Sequence, residues 1–367
     1  MNKKIALLLF KYFPYGGLQK DFLGVSKELL LRGYEVKIFT RNWEGEIPRD
    51  YEVTELGSRG YSNFSKNKNF VKNVKRSLSR YSPDIIFGFN KMPGLDLYFA
   101  ADTCFKKQAI LKNPIQKFTR RYRQALEYEN SVFSNNYHTK LLLLNKNQAN
   151  DFQSFYNTDS ERMTIIPPGI EENWGLHQSI NIHKLFDIPS EEKIILFVGS
   201  DFSRKGLDRA ILGMSHLAKC NIPASLLVIG DDNSKPFMRS IRKLSLMKKV
   251  MFLGPRSDVA SFMKSSDLLV HPAREEAAGN IIIEALVSGL PTLVSSEVGF
   301  SSEVLNLKSG VVVEGDFNQD KYNLLLEELL SSKRLLSIKN LIKPLAKQDY
   351  FYSRFRFVSD FIEKTFQ

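Results

Sequence analysis

The chain has 367 residues, 43% hydrophobic and 25% charged, with a formal net charge of +12. This balance excludes global disorder and, at roughly 150 residues per domain, implies two domains large enough to fold without covalent staples. Two cysteines, Cys104 and Cys220, are too few for a disulfide framework and lack a CxxC spacing for zinc, so reduced cytosolic thiols are expected.

Lys3 and Lys4 precede the apolar run Ile5–Phe10, in outline the start of a signal peptide. The run stops at Lys11 with no small-residue cleavage site behind it, so it is expected to be a buried first strand. No stretch approaches the ~18 apolar residues of a spanning helix. The loop that follows carries Gly16 and Gly17 ahead of Leu18–Leu31, a segment of helical spacing. Paired glycines at a strand-to-helix turn let the backbone approach a ligand, and the helix start favours an anion. The loop is neither GxGxxG nor a P-loop, and a simple tight turn is the alternative.

Further short apolar runs follow at Val36–Phe39, Ile85–Phe89, Leu141–Leu144 and Thr164–Ile166. Between them, residues 105–126 hold Lys106, Lys107, Lys112, Lys117, Arg120, Arg121 and Arg123 with no acidic residue. Ile115, Phe118, Tyr122 and Leu126 lie near helical spacing, which gives the pattern of an interfacial helix. At about 1 kcal/mol per basic residue near anionic lipid, reversible and salt-sensitive attachment is expected. A solvated surface over ordinary core packing, or nucleic-acid binding, would share this pattern; an anionic membrane surface is preferred, with no nucleic acid. The charge is uneven on a larger scale too. Residues 1–170 hold 27 Lys/Arg against 16 Asp/Glu, and the remainder 25 against 24.

Pro167-Pro168-Gly169 and the polar stretch after it mark the join between domains. Beyond it come apolar runs at Ile194–Val198, Leu226–Ile229, Val250–Leu253, Leu268–Val270, Thr292–Val294 and Val311–Val313, with helical segments such as Lys235–Met247 between. Continuous apolar runs alternating with helices predict parallel sheets covered on both faces: two doubly wound, Rossmann-like α/β domains. The expected boundaries are 1–167 and 168–349, with a terminal helix over 350–367 packing back on the first domain. Ligands of such domains bind at the carboxyl ends of the strands, which points to a cleft between the two.

Gly199-Ser200-Asp201-Phe202-Ser203-Arg204-Lys205-Gly206 places adjacent cations after the first strand of the second domain. They suit a diphosphate leaving group, although a solvated pair is the plainer reading. The stretch from His271 to Ala285 sets Glu276 and Glu284 seven residues apart, around the small Ala277, Ala278 and Gly279 and then Asn280. In a continuous helix those glutamates would stand about 12 Å apart, the reach from a transferred sugar past a diphosphate to a ribose. No Asp-x-Asp occurs and the five histidines are unpaired in sequence, so cations and helix starts, rather than a metal, are expected to neutralise the diphosphate.

In these stretches the chain resembles the GT-B glycosyltransferases of family four. Glu276 and Glu284 match that family's E-x7-E motif and Arg204-Lys205 its phosphate-binding pair. Lys11–Gln19, Gly88–Asp96, Ala100–Asp102 and Pro167–Ile170 extend the likeness over nearly the whole chain. The resemblance implies retaining, metal-independent transfer of glucose from UDP-glucose to a heptose of the lipopolysaccharide inner core, at the inner face of the cytoplasmic membrane and with no cofactor. It implies that Gly16 and Gly17 face the diphosphate, that Arg204 and Lys205 neutralise it, and that Arg256 lies beside the uracil. Glu276 would bind the glucose, Glu284 the ribose, and Asp21 and Asp102 would lie on the acceptor side. Where many members carry a histidine near Asp102, this chain has Thr103-Cys104. Another UDP-hexose transferase, an epimerase on the same scaffold, or a non-catalytic basic membrane- or RNA-binding protein are the alternatives.

Overall fold

The computed structural model describes residues 3–366 except 15, 58, 111–116, 172–173 and 175. The chain divides into two compact units, Met1–Gly169 with Ser353–Gln367, and Ile170–Tyr352. The join therefore falls just past the Pro-Pro-Gly turn instead of within it.

In the first unit, β1 (Lys4–Tyr12), β2 (Glu35–Trp43), β3 (Glu52–Glu55), β4 (Ile85–Gly88), β5 (Leu97–Ala100), β6 (Lys140–Leu143) and β7 (Met163–Ile165) form a parallel sheet ordered β3-β2-β1-β4-β5-β6-β7. Its helices are α1 (Gly17–Leu31), α2 (Asn63–Tyr81), α3 (Phe105–Ile110), α4 (Arg120–Phe133) and α5 (Lys146–Tyr156). Strand β1 is central and paired on both sides, with Ile5 beside both Val36 and Ile85. Ile5 to Leu9 are all buried, which is why the run reads as continuously apolar.

The second unit contains α6 (Ile182–Phe186), β8 (Lys193–Val198), α7 (Leu207–Lys219), β9 (Ala224–Ile229), α8 (Lys235–Lys243), β10 (Val250–Gly254), α9 (Val259–Ser265) and β11 (Leu268–His271). It continues with α10 (Asn280–Val287), β12 (Thr292–Ser295), α11 (Ser301–Asn306), β13 (Gly310–Val313), α12 (Gln319–Ser331) and α13 (Arg334–Ile342). These strands form a second parallel sheet, ordered β10-β9-β8-β11-β12-β13. Helix α8 is shorter than its periodicity predicts; the chain leaves it through Ser245, whose φ of 58° is left-handed.

The last helix, α14 (Arg354–Thr365), returns to the first unit against α1 and buries Val358 and Ile362. Its first residue is the anchor. Arg354 is fully buried, donates from Nε to the Pro167 carbonyl at 2.9 Å, and lies 2.6 Å from the Asp21 carboxylate through Nη1. Arg32, which caps the end of α1, adds contacts to Asp360 and Glu363 at 2.6 and 3.1 Å. Asp21, which the resemblance sets on the acceptor side, lies in the seam between α1 and α14. Its carboxylate is occupied by Arg354 and only 4% of the residue is exposed, so it fastens α14 to α1.

The basic stretch also departs from a single interfacial helix. It forms α3 and α4 around residues 111–116, so Lys112 and Ile115 lie outside the described residues.

Candidate active site

In both sheets the order turns back beside the first strand, between β1 and β4 and between β8 and β11. Loops leaving the carboxyl ends of such neighbours run to opposite sides and open a crevice. In the second unit those loops are Gly199–Gly206 and Pro272–Gly279, where the sequence concentrates its cations and a carboxylate.

Three charged groups converge there. Arg204 Nη1 is 3.2 Å and Lys205 Nζ 3.4 Å from Glu276 Oε2. Arg204 also binds Asp201 through Nε at 2.9 Å and the Glu275 carbonyl through Nη1 at 2.7 Å. Beneath them, at the end of β11, lies the fully buried His271, its Nε2 3.7 Å from the same glutamate oxygen. Neither ring nitrogen has a hydrogen-bond partner among the described residues. Burial alone would push the Glu276 carboxyl up, but His271, Lys205 and Arg204 outweigh it and hold the group well below the usual carboxylate range. Burial pushes the His271 imidazole down.

The two loops are sewn together. Arg274 N–H donates to the Arg204 carbonyl at 2.7 Å, and its guanidinium grips both Asp208 oxygens at 2.8 and 2.7 Å. Arg209 donates to the carbonyls of Pro272 and Ala273 at 3.0 and 3.2 Å. Gly206 begins α7 in a left-handed conformation, and a Cβ there would stand 2.0 Å from the Pro272 oxygen. Only glycine allows that approach.

The Glu276–Glu284 segment is not one helix. Glu276 bridges to Val298 in extended conformation: its N–H donates to Glu297 and its carbonyl accepts from Gly299, at 3.2 and 2.9 Å. Phe300 N–H holds the Ala278 carbonyl at 2.8 Å. Helix α10 starts only at Asn280, after left-handed Gly279, and no side chain caps it. The small Ala277, Ala278 and Gly279 therefore lead into a helix start whose dipole favours an anion. Glu284 is half-buried one turn into α10. Arg256 lies apart from this cluster, after edge strand β10 and two strands from β8, about 10 Å across the sheet. It forms a two-point pair with Asp258 at 2.7 and 2.8 Å and sits 4.7 Å over the Phe262 ring.

In the first unit, Gly16 precedes α1, whose start also lacks a side-chain cap, and Gly17 has open space around it. Within β1, Phe10 N–H donates to Asn90 Oδ1 in the loop after β4, at 2.7 Å. Asp102 is exposed in the loop after β5, its carbonyl held by Gln148 Nε2 at 3.1 Å.

That loop rests on a group the sequence gives no sign of. Glu129 of α4 is fully buried, 2.5 Å from Lys91 Nζ, and accepts from Tyr156 Oη at 2.7 Å. It also accepts the N–H groups of Phe105 and Lys106, at 2.8 and 2.9 Å, where α3 begins. Lys91 in turn donates to the Thr103 carbonyl at 2.9 Å.

Within the basic patch, Lys107 is paired with Asp151 at 2.8 Å, and Lys106 donates to the Phe155 carbonyl at 2.8 Å. Lys117 is half-buried; Arg120, Arg121 and Arg123 are exposed near Phe118, itself 76% exposed. Arg120 and Arg121 line a cleft of about 570 Å³ with Tyr61 and Phe64.

A family model described as Glycosyltransferase Family 4 matches residues 15–174, and one described as Glycosyl transferases group 1 matches 178–343. The lipopolysaccharide glucosyltransferase WaaG of Escherichia coli (strain K12) is 36% identical over 338 residues, 90% of each chain. The crystal structure of WaaG, a glycosyltransferase involved in lipopolysaccharide biosynthesis, superimposes with a TM-score of 0.90 at 35% identity, covering 98% of this chain and 99% of that one. Anabaena HepE (Alr3699), solved in complex with UDP and glucose, shares the fold at 15% identity and a TM-score of 0.73, covering 99% of this chain and 100% of its own.

Proposed function

The chain belongs to the GT-B glycosyltransferases of family four, and from that premise we propose that it moves glucose from UDP-glucose to a heptose of the lipopolysaccharide inner core, with retention and without a metal. The observation that carries this reading is the meeting of Arg204, Lys205 and Glu276 at the β8/β11 switch point, beside the uncapped starts of α7 and α10. The glucose and core assignments are supported by identity to the E. coli enzyme.

As the bond from C1 to the diphosphate breaks, negative charge grows on the departing oxygen. Arg204 offers a fork of donors and Lys205 a compact charge, both already placed and needing no reorganisation. Without donor, Glu276 keeps these cations paired. When donor enters, its diphosphate takes over Arg204 and Lys205, and the anionic Glu276 is released to accept from sugar hydroxyls. The acceptor oxygen then bonds to C1 on the face the diphosphate leaves, and its proton passes to the departing phosphate oxygen. Arg256 borders the uracil and Glu284 the ribose, while Asp102 serves the acceptor.

A donor screen with truncated core lipopolysaccharide tests this. UDP-glucose is expected to support transfer well above UDP-galactose or UDP-N-acetylglucosamine, with an α-linked product by NMR. Preference for another donor would overturn the substrate assignment, and a trapped covalent glycosyl-enzyme the same-face step.

The enzyme is further proposed to work at a membrane surface, as a peripheral protein on the cytoplasmic side. Among the described residues no helix is long and apolar enough to cross a bilayer. Exposed Phe118 and Ile110, together with Arg120, Arg121 and Arg123, supply apolar anchors flanked by charge. Sedimentation with anionic vesicles is expected to fall steeply between low salt and ~0.5 M salt, and to weaken in an Arg120→Ala/Arg121→Ala/Arg123→Ala variant. Equal binding to zwitterionic vesicles would contradict it.

A further inference from the structure

At the far end of α7 from the donor loops, about 20 Å along the helix, lies a second cluster of reactive side chains. His216 and Cys220 are four residues apart and share one face of α7 and its cap. Helix α12 crosses them closely. Gly213 lies against Tyr322 and Leu326, where an added Cβ would come within 2.8 Å of both side chains. This close approach brings Glu327 of α12 onto the His216–Cys220 face.

Three different ligand types meet there. His216 Nε2 is 2.7 Å from Glu327 Oε2, and Cys220 Sγ is 3.6 and 3.7 Å from those two atoms. The His–Glu hydrogen bond accounts for the first distance, and the Cys220 thiol donates to the same Glu327 oxygen, so all three side chains already converge on one point. Zinc bound tetrahedrally at ~2.0–2.3 Å holds nitrogen, oxygen and sulfur ligands about 3.3–3.6 Å from one another. Both sulfur distances are already near that range, and only the His216–Glu327 separation must open, by roughly 0.6 Å. All three groups are part of the surface or near it, so an ion can enter and water can complete the shell.

We propose that His216, Cys220 and Glu327 bind one divalent cation of the zinc class, with water as fourth ligand, as a clamp between α7 and α12 that takes no part in sugar transfer. On binding, the Cys220 proton leaves to solvent and the thiolate becomes a ligand, while His216 carries its ring proton on Nδ1 and offers the Nε2 lone pair. The other cysteine, Cys104, is buried in the first unit and does not compete.

Cobalt(II), a spectroscopic stand-in for zinc, tests this on the metal-stripped full chain. One equivalent is expected to produce a thiolate-to-cobalt charge-transfer band that zinc then abolishes. Cys220→Ser is expected to remove the band, and His216→Ala to weaken cobalt binding at least tenfold while keeping the native circular dichroism. Zinc is expected to raise the melting temperature of the native chain but not of His216→Ala, and to leave the glycosyl-transfer rate unchanged. No charge-transfer band in the native chain, or a band that survives Cys220→Ser, overturns the site. A transfer rate that follows metal loading overturns its separation from catalysis.

Discussion

Replacing Lys205 by alanine is expected to lower UDP-glucose turnover by ~10²–10³-fold, the range lost when one preorganised charge-stabilising donor is removed from an active site. The Lys205 side chain is only 16% exposed and points its ammonium at Glu276, so solvent replaces its charge poorly. Its effect should be felt as the diphosphate departs. The fall is therefore expected mainly in kcat, with a smaller change in the donor KM. Arg204→Ala should act in the same direction. Lys205→Arg should recover only part of the rate, because the fork differs in shape from a point charge and Gly199 already lies against the Lys205 stem. Steady-state kinetics on variants with native thermal melts check this. Turnover of Lys205→Ala within threefold of the parent would show that the cation pair does not meet the leaving group.

Asp21→Ala is expected to cost ~3–5 kcal/mol of stability, because it strands a fully buried guanidinium without its counter-charge. In a domain of this size the melting transition should fall by on the order of 10 °C. Exchanging both partners, as in Asp21→Leu/Arg354→Met, should restore most of the loss, since two apolar groups leave no uncompensated charge. The folded fraction of Asp21→Ala is expected to keep its kcat. A variant that melts like the parent but fails to transfer sugar would return Asp21 to the acceptor site.

These two residues also mark how far the sequence can be read. The second unit was nearly transparent. Each of its strands is an apolar run between helices, buried in all but edge strand β10, and β8, β9, β10, β11, β12 and β13 all fall on apolar stretches seen in the sequence. The first unit was less so, for reasons visible in its structure. Strand β3 is the short polar edge Glu52–Glu55, with no apolar run to announce it. Strand β5 follows β4 without an intervening helix, so the alternation on which the reading rests is broken there.

The meeting of Arg204, Lys205 and Glu276 was legible because these residues lie in two short loops after strands, and topology makes β8 and β11 neighbours. Glu276 and Glu284 do not share one helix, because backbone bonds to Glu297 and Gly299 hold Glu276 extended, and neither partner is close in sequence. Glu129 was invisible for the same reason. It looks like one of two acids on a polar helix until Lys91 and the start of α3 fold onto it. His271 opened a stretch already singled out, yet only the fold shows it buried beneath Glu276. Asp21 is set on the acceptor side by the resemblance, and only the fold reveals its buried partner Arg354.

The most direct measurement is a crystal structure of the enzyme with UDP. The diphosphate oxygens should lie within hydrogen-bonding distance of Arg204 and Lys205 and face the start of α10, with both cations drawn away from Glu276. A diphosphate bound elsewhere, with the Arg204–Glu276 and Lys205–Glu276 pairs intact, would contradict the proposed chemistry of the leaving group.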